Sequence, residues 1–129
     1  MTVPCKGEYV GVVRLTVSSI ANRMGFNIED IEDIKVAVAE ACTNAIRHSL
    51  NDLFHVEFEL EEGKLSISVK DEGRGYDANK LNEPDLLNPK EEGGLGIFII
   101  RSLMDEVNLT SEPGAGTKIR MTKLLGDGM

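Results

Sequence analysis

A carboxylate and an amide four residues apart, Glu40 and Asn44, are the first side chains in this sequence that could do chemistry together. On an α-helix, residues at i and i+4 lie on the same face, one turn apart. The amide oxygen of Asn44 is a hard ligand that suits Mg²⁺, which usually keeps waters and phosphate oxygens in its other positions. The carboxylate of Glu40 could then accept a proton from an attacking hydroxyl group. The alternative interpretation is the ordinary wet face of an amphipathic helix.

A second carboxylate, Asp71, ends an alternating apolar segment and is followed by Gly73 and Gly75. A carboxylate at the bottom of an apolar pocket can accept a hydrogen bond from the amino group of adenine and would reject guanine, which presents an oxygen there. The glycines would let the backbone pass close to the ring. The alternative is a simple turn.

Glycines 93, 94 and 96 surround Leu95 directly before the apolar run from Ile97 to Leu103. Free backbone N–H groups and the positive end of a helix dipole would meet at this point, which favours a triphosphate. The segment is not of the Walker type, because no Gly-Lys-Ser/Thr follows it. On its own, the run is equally consistent with a flexible entry to a helix.

In this order, the three segments resemble the ATP site of the Bergerat-fold (GHKL) ATPases, the superfamily that includes gyrase and the histidine kinases. The runs Glu40–Ala45, Gly93–Ile97 and Leu103–Val107 are similar to those of the general-stress anti-sigma factors that are also serine kinases. The resemblance implies that Glu40 is the general base, that Asn44 is the magnesium ligand, and that Asp71 contacts adenine. The remaining ATP-binding residues that it implies are Gly73, Gly75, Gly94, Leu95, Gly96 and Thr117.

The resemblance also implies a partner-switching function with Mg²⁺ and ATP as cofactors. Such a protein sequesters an alternative sigma factor and phosphorylates a serine on a STAS-type anti-anti-sigma protein. It implies a homodimer, and Arg14 in the first helix is the residue that we expect to contact the partner proteins. The alternatives are a regulatory module that binds ATP without significant kinase turnover, or an ATPase whose cycle rearranges a dimer.

Composition limits the other functional classes. The chain has 129 residues, which is the size of one domain, and its net charge of −8 argues against direct nucleic-acid binding. No run of about eighteen apolar residues and no signal peptide is present, so we expect a cytoplasmic protein without membrane contact. Cys5 and Cys42 have neither metal-site nor disulfide spacing, and Cys42 is expected to pack in the core.

Two amphipathic helices must position the first pair of side chains. Helical spacing predicts one helix from Glu8 to Met24, with Gly25 as its stop. Asn27 followed by Asp30 predicts the N-cap of a second helix. Its buried stripe comprises Ile31, Ile34, Val38, Cys42 and Ala45. Glu40 and Asn44 lie on the other face, where Arg47 and His48 are interpreted as solvated residues.

The remaining pattern predicts strands around a third helix. Alternation predicts a hairpin with one strand over Val56–Leu60 and a second strand that ends at Asp71. A long connection over Tyr76–Glu92 then leads to a helix over Gly94–Met104 and a strand over Val107–Thr110. A turn at Pro113–Gly116 precedes a last strand with Ile119 and Met121 inward. These elements predict a two-layer α+β fold with a mixed, mostly antiparallel sheet and helices on one face.

Overall fold

One sheet and three helices make up the parts of the chain that a computed structural model describes, residues 1–73, 94–112 and 116–126. The strands are β1 (Thr2–Pro4), β2 (Ser49–Glu61), β3 (Lys64–Gly73), β4 (Glu106–Glu112) and β5 (Gly116–Leu124). The helices are α1 (Val10–Met24), α2 (Ile28–His48) and α3 (Gly94–Leu103), and a 3-10 turn over Gly7–Tyr9 precedes α1. The strand order is β1-β2-β3-β5-β4, and each of these neighbouring pairs is antiparallel. The α+β class is confirmed, and in the described part of the chain the sheet is antiparallel throughout rather than mixed.

The boundaries of α1 and α2 follow the local signals in the sequence. Gly25 takes a left-handed conformation with φ of 98° after the last residue of α1, which ends the helix. Asn27 caps α2, because its side-chain oxygen accepts the backbone N–H of Asp30 at 2.8 Å. The predicted start of the first helix at Glu8 falls within the 3-10 turn.

The hydrophobic core lies between the helices and the inner face of the sheet. The sheet contributes buried apolar side chains at alternate positions: Phe54, Val56, Ile67, Val69, Ile119 and Met121. The helices contribute a matching set: Val13, Val17, Ile34, Val38, Cys42, Ile97 and Ile100. The prediction that Cys42 packs in the core is confirmed, and burial raises the pKa of its thiol to about 12.

Two predicted segments lie outside the described residues, namely the connection over Tyr76–Glu92 and most of the turn from Pro113 to Gly116. Both remain predictions. β2 begins at Ser49, directly after α2 and seven residues before the predicted start, with a register irregularity between Ser49 and Phe54. Among the described helices, none combines the length and the apolar content that a bilayer crossing requires.

Candidate functional site

Asp71 lies at the end of β3 and is almost fully buried, with 2% of its surface exposed. Its Oδ1 accepts the backbone N–H of Gly73 at 2.8 Å, and the backbone of Thr117 also donates to the carboxylate. Burial raises the pKa of Asp71, while these hydrogen bonds and the charge of His48 act in the opposite direction. The carboxylate therefore keeps part of its accepting capacity for a further donor.

Two glycines bring the backbone unusually close to Asp71. A Cβ on Gly73 would overlap the carbonyl oxygen of His48 and would lie 2.7 Å from Oδ1 of Asp71. A Cβ on Gly116 would overlap the carbonyl oxygen of Asp71, and Gly116 also has a φ of 83°. Both positions therefore require glycine. The sequence indicated this for Gly73, whereas Gly116 was interpreted as part of a hairpin turn.

His48 corrects one expectation from the sequence. It was interpreted as a residue of the solvated face, but it is only 6% exposed. The reason is that β2 follows α2 without a loop and pairs with the end of β3, so the last turn of α2 is enclosed beside Gly73. Its i+4 spacing from Asn44 was the available signal. Arg47, on a different side of the same turn, is exposed.

Thr117 lies opposite Asp71 in the register between β3 and β5 and is also buried. Its hydroxyl oxygen is 2.8 Å from that of Ser111 on β4, a residue that sequence reasoning missed. Backbone pairing and a hydroxyl pair thus hold the carboxylate end of the site across three strands, β3, β5 and β4.

The other end of the site is formed by α2 and the first turn of α3. Glu40 is half-buried and Asn44 is buried with 6% exposure. A Cβ on Gly96 would lie 3.3 Å from Oε2 of Glu40, so the start of α3 faces this carboxylate. Gly94 opens α3, and Leu95 is exposed. The amide of Asn44 one turn from Glu40 suits Mg²⁺, which proteins commonly bind through one or two side chains together with substrate phosphates.

One face of α2 connects the two ends. Glu40, Asn44 and His48 follow each other at intervals of four residues, so the face extends about 12 Å from the start of α3 toward Asp71. Gly75 and Gly93 lie outside the described residues. Arg14 is exposed on α1 and lines a separate open groove of about 450 Å³, and none of the described residues predicted to bind ATP lines it.

Comparison with known proteins gives a consistent result. A family model described as the histidine kinase-like ATPase domain matches residues 3–123. Proteins named serine-protein kinase RsbW are similar to this chain in sequence. The one from Halalkalibacterium halodurans is 45% identical over 97% of this chain and 82% of its own length. The one from Oceanobacillus iheyensis is 43% identical over 98% and 86%, respectively.

Solved structures show the same fold. The RsbU and RsbW domains of a Mycobacterium tuberculosis protein give a TM-score of 0.67 at 20% identity, over 97% of this chain and 32% of that chain. The histidine kinase domain of the blue-light activated histidine kinase from Erythrobacter litoralis EL346 gives a TM-score of 0.59 at 26% identity. That match covers 95% of this chain and 62% of the other.

Proposed function

The chain belongs to the histidine kinase-like ATPase domain family and, within it, to the serine-protein kinases named RsbW, and on this premise we propose how its site acts. It transfers the γ-phosphoryl group of Mg-ATP to a serine of a STAS-type anti-anti-sigma protein, and it sequesters an alternative sigma factor. One observation carries the proposal: a single face of α2, formed by Glu40, Asn44 and His48, connects two groups of residues. Buried Asp71 lies toward one end of this face, and the first turn of α3 lies against Glu40 at the other end.

The end of the site that contains Asp71, Gly73, Gly116 and Thr117, the purine end, selects the nucleotide. Asp71 accepts a hydrogen bond from the adenine amino group, and guanine would place an oxygen against the same carboxylate. Gly73 and Gly116 remove the side-chain atoms that would otherwise displace the carboxylate or its strand. Thr117 holds the neighbouring strand in register with Asp71.

The end that contains Glu40, Asn44 and the first turn of α3, the phosphate end, performs the phosphoryl transfer. Backbone N–H groups in the first turn of α3, from Gly94 to Gly96, bind phosphate oxygens with the help of the helix dipole. Asn44 holds Mg²⁺, which when bound neutralises charge on the phosphates. Glu40 accepts the hydroxyl proton of the substrate serine. The serine oxygen forms a bond to the γ-phosphorus as the bond from that phosphorus to ADP breaks.

The exposed face of α1 is the surface that we assign to the protein partners. Val12 and Leu15 are 47% and 73% exposed, and Arg14 between them is an exposed cation beside the groove. Apolar side chains grouped on a surface helix are typical of interaction sites. The protein acts as a homodimer in this proposal, with Arg14 contacting the sigma factor and the anti-anti-sigma protein.

The test of the proposal is Glu40→Gln, which keeps the size and polarity of the side chain but removes the base. Single-turnover phosphorylation of a purified STAS-type protein from the same genome should slow by about 10²–10⁴. The affinity for Mg-ATP should change little, because positioning and charge stabilisation remain.

Glu32→Gln is the matched control, since Glu32 is exposed on the same helix and forms an ion pair with Lys35 at 3.1 Å. It should transfer phosphate at the unmutated rate. A near-normal rate in Glu40→Gln would show that Glu40 is not the base. An unmutated protein that binds ATP but phosphorylates no such protein would favour the alternative of an ATP-binding regulatory module.

A further inference from the structure

Lys123 on β5 is a buried cation remote from the proposed nucleotide contacts. It is 8% exposed and follows Ile119 and Met121 on the inner face of the strand. Its Nζ donates to the carbonyl oxygen of Leu103 at 2.6 Å and lies 3.7 Å from Asp33 and 3.9 Å from Asp30. A lysine is rarely buried unless it is paired, because removing an ammonium group from water is costly.

The ammonium group lies where three elements meet. Leu103 is the last residue of α3, whose final carbonyl oxygens lack intrahelical partners and carry the negative end of the helix dipole. Asp30 and Asp33 lie in the first turns of α2. Lys123 therefore links the end of α3 to the start of α2, and both to β5.

A second set of contacts ties the same end of α3 to β5. The backbone N–H of Asp105 donates to the carbonyl oxygen of Thr122 at 2.9 Å. The carboxylate of Asp105 accepts the backbone N–H of Leu124 at 2.6 Å. The residues on both sides of Lys123 thus hold the segment that follows α3.

The contacts at the two ends of α3 are matched in length. On α3, Gly96 faces Glu40, and Leu103 contacts Lys123 seven residues later. On α2, Asp33 lies beside Lys123 and comes seven residues before Glu40. The two helices therefore run in opposite directions, and each covers about 10.5 Å between these contacts. Because a helix is stiff along its axis, a shift at Leu103 moves the first turn of α3 by a similar distance relative to Glu40.

We propose that Lys123 is a positioning residue for phosphoryl transfer. By linking the carbonyl oxygen of Leu103 to the carboxylates of Asp30 and Asp33, it sets the register of α3 along α2 and hence the distance from the first turn of α3 to Glu40. This inference rests on the proposed function, in which that turn binds the phosphates. Displacement of about 1 Å at a reacting centre can cost on the order of 10²-fold in rate.

Lys123→Met tests this proposal, because it keeps the aliphatic stem and removes the donors. At a temperature where circular dichroism shows a fully folded protein, single-turnover phosphorylation of the STAS-type protein should slow by about 10-fold or more. The affinity for Mg-ADP should fall, whereas the affinity for adenosine, which reports the Asp71 end, should stay within about twofold. Lys123→Arg should restore most of the rate, because a guanidinium group can still donate to Leu103.

Lys64→Met is the control, since Lys64 is a strand lysine whose ion pair with Glu61 at 3.5 Å is exposed. It should behave as the unmutated protein. The proposal is overturned if Lys123→Met transfers phosphate at the unmutated rate, or if it loses adenosine and Mg-ADP affinity equally, since an equal loss indicates a general structural role. Should Lys123→Met not fold, Lys123→Gln replaces it, because a shorter and neutral side chain also removes the ammonium contacts with Leu103, Asp30 and Asp33. An unchanged transfer rate in that variant overturns the proposal.

A failure of the Lys123 proposal can be distinguished from a failure of the proposed function. If the unmutated protein phosphorylates no STAS-type protein, the function fails, while the ratio of Mg-ADP to adenosine affinities still reports whether Lys123 positions α3. A lowered ratio in Lys123→Met supports the positioning role, and an unchanged ratio overturns it.

Discussion

The two ends of the proposed nucleotide site are built in different ways. At the purine end, backbone packs against backbone: Gly73 lies on the carbonyl of His48, and Gly116 lies on the carbonyl of Asp71. At the phosphate end, a helix glycine faces a side chain: a Cβ on Gly96 would lie 3.3 Å from Oε2 of Glu40. The proposed purine end is therefore held by strand register, whereas the proposed phosphate end depends on how side chains position two helices.

The largest effect that would test this contrast is expected from Gly73→Ala. The new Cβ would overlap the carbonyl of His48, and neither β3 nor the end of α2 can move without breaking strand pairing. Overpacking of this kind costs about 3 kcal/mol of unfolding free energy. Urea denaturation measures the loss.

Gly11→Ala provides the comparison for that experiment, since a Cβ on Gly11 in α1 meets nothing within 4 Å. It should stabilise the protein by up to about 1 kcal/mol through helix propensity. Equal stabilities for the two variants would mean that the purine end is not rigid.

Asp71→Asn should abolish discrimination between adenine and guanine without unfolding the protein. Asparagine keeps one oxygen for the backbone N–H of Gly73 and places an NH2 group where the second carboxylate oxygen was. The adenine amino group then lacks an acceptor, at a cost of about 1–3 kcal/mol, or roughly 5- to 150-fold in ATP affinity. Calorimetry with ATP and GTP on this variant and on Glu72→Gln, an exposed neighbour, measures the difference. Equal affinities for the two nucleotides in the unmutated protein would contradict the role of Asp71.

Gly96→Ala should separate the stability of the phosphate end from its function. The Glu40 side chain can shift by a few tenths of an ångström, so the variant should fold and gain about 0.5–1 kcal/mol from helix propensity. Its Mg-ATP affinity should nevertheless fall, because the methyl group occupies space beside Glu40 at the start of α3. A destabilised variant would show that this end is as rigid as the purine end.

The smallest expected effect is a dependence on pH. Because burial raises the pKa of Asp71, its contribution to stability is complete below the ordinary value of 3.8 and is lost as pH rises through the folded-state pKa. Asp71→Asn does not ionise at this position, so its unfolding free energy relative to the unmutated protein should increase from pH 4 to pH 7. Urea denaturation across this range tests the sign, and a relative stability that falls with pH would contradict it.

Local signals predicted the parts of the fold that are set by neighbouring residues. The Asn27 cap, the Gly25 stop and the stripe through Ile34 and Val38 predicted α2 and the end of α1, because helices are encoded over a few turns. The three residues of β1 contain Pro4 and are too short to show a period. The early start of β2 depends on pairing between Ser49 and Gly73, which no local pattern records.

In the candidate site too, features set by nearby residues were predicted and features set by distant residues were not. The order of Glu40, Asn44, Asp71 and the α3 glycines predicted a set of site residues, and their roles stay a prediction. The structure places Glu40 and Asn44 one turn apart on α2, with Gly96 next to Glu40. Burial of His48 was missed because it depends on strands distant in sequence. Lys123 had a usable signal, since it continues the inward alternation of Ile119 and Met121, but its partners come from two helices and could not be read from β5 alone.

Cys42 has a consequence for redox behaviour. It lies between Glu40 and Asn44 in sequence but faces the core, and because burial raises the pKa of its thiol to about 12, the thiol stays protonated at pH 7. The thiolate is the form that oxidants and electrophiles attack. The helix that carries Glu40 and Asn44, the proposed base and magnesium ligand, is therefore protected from oxidation at its own cysteine.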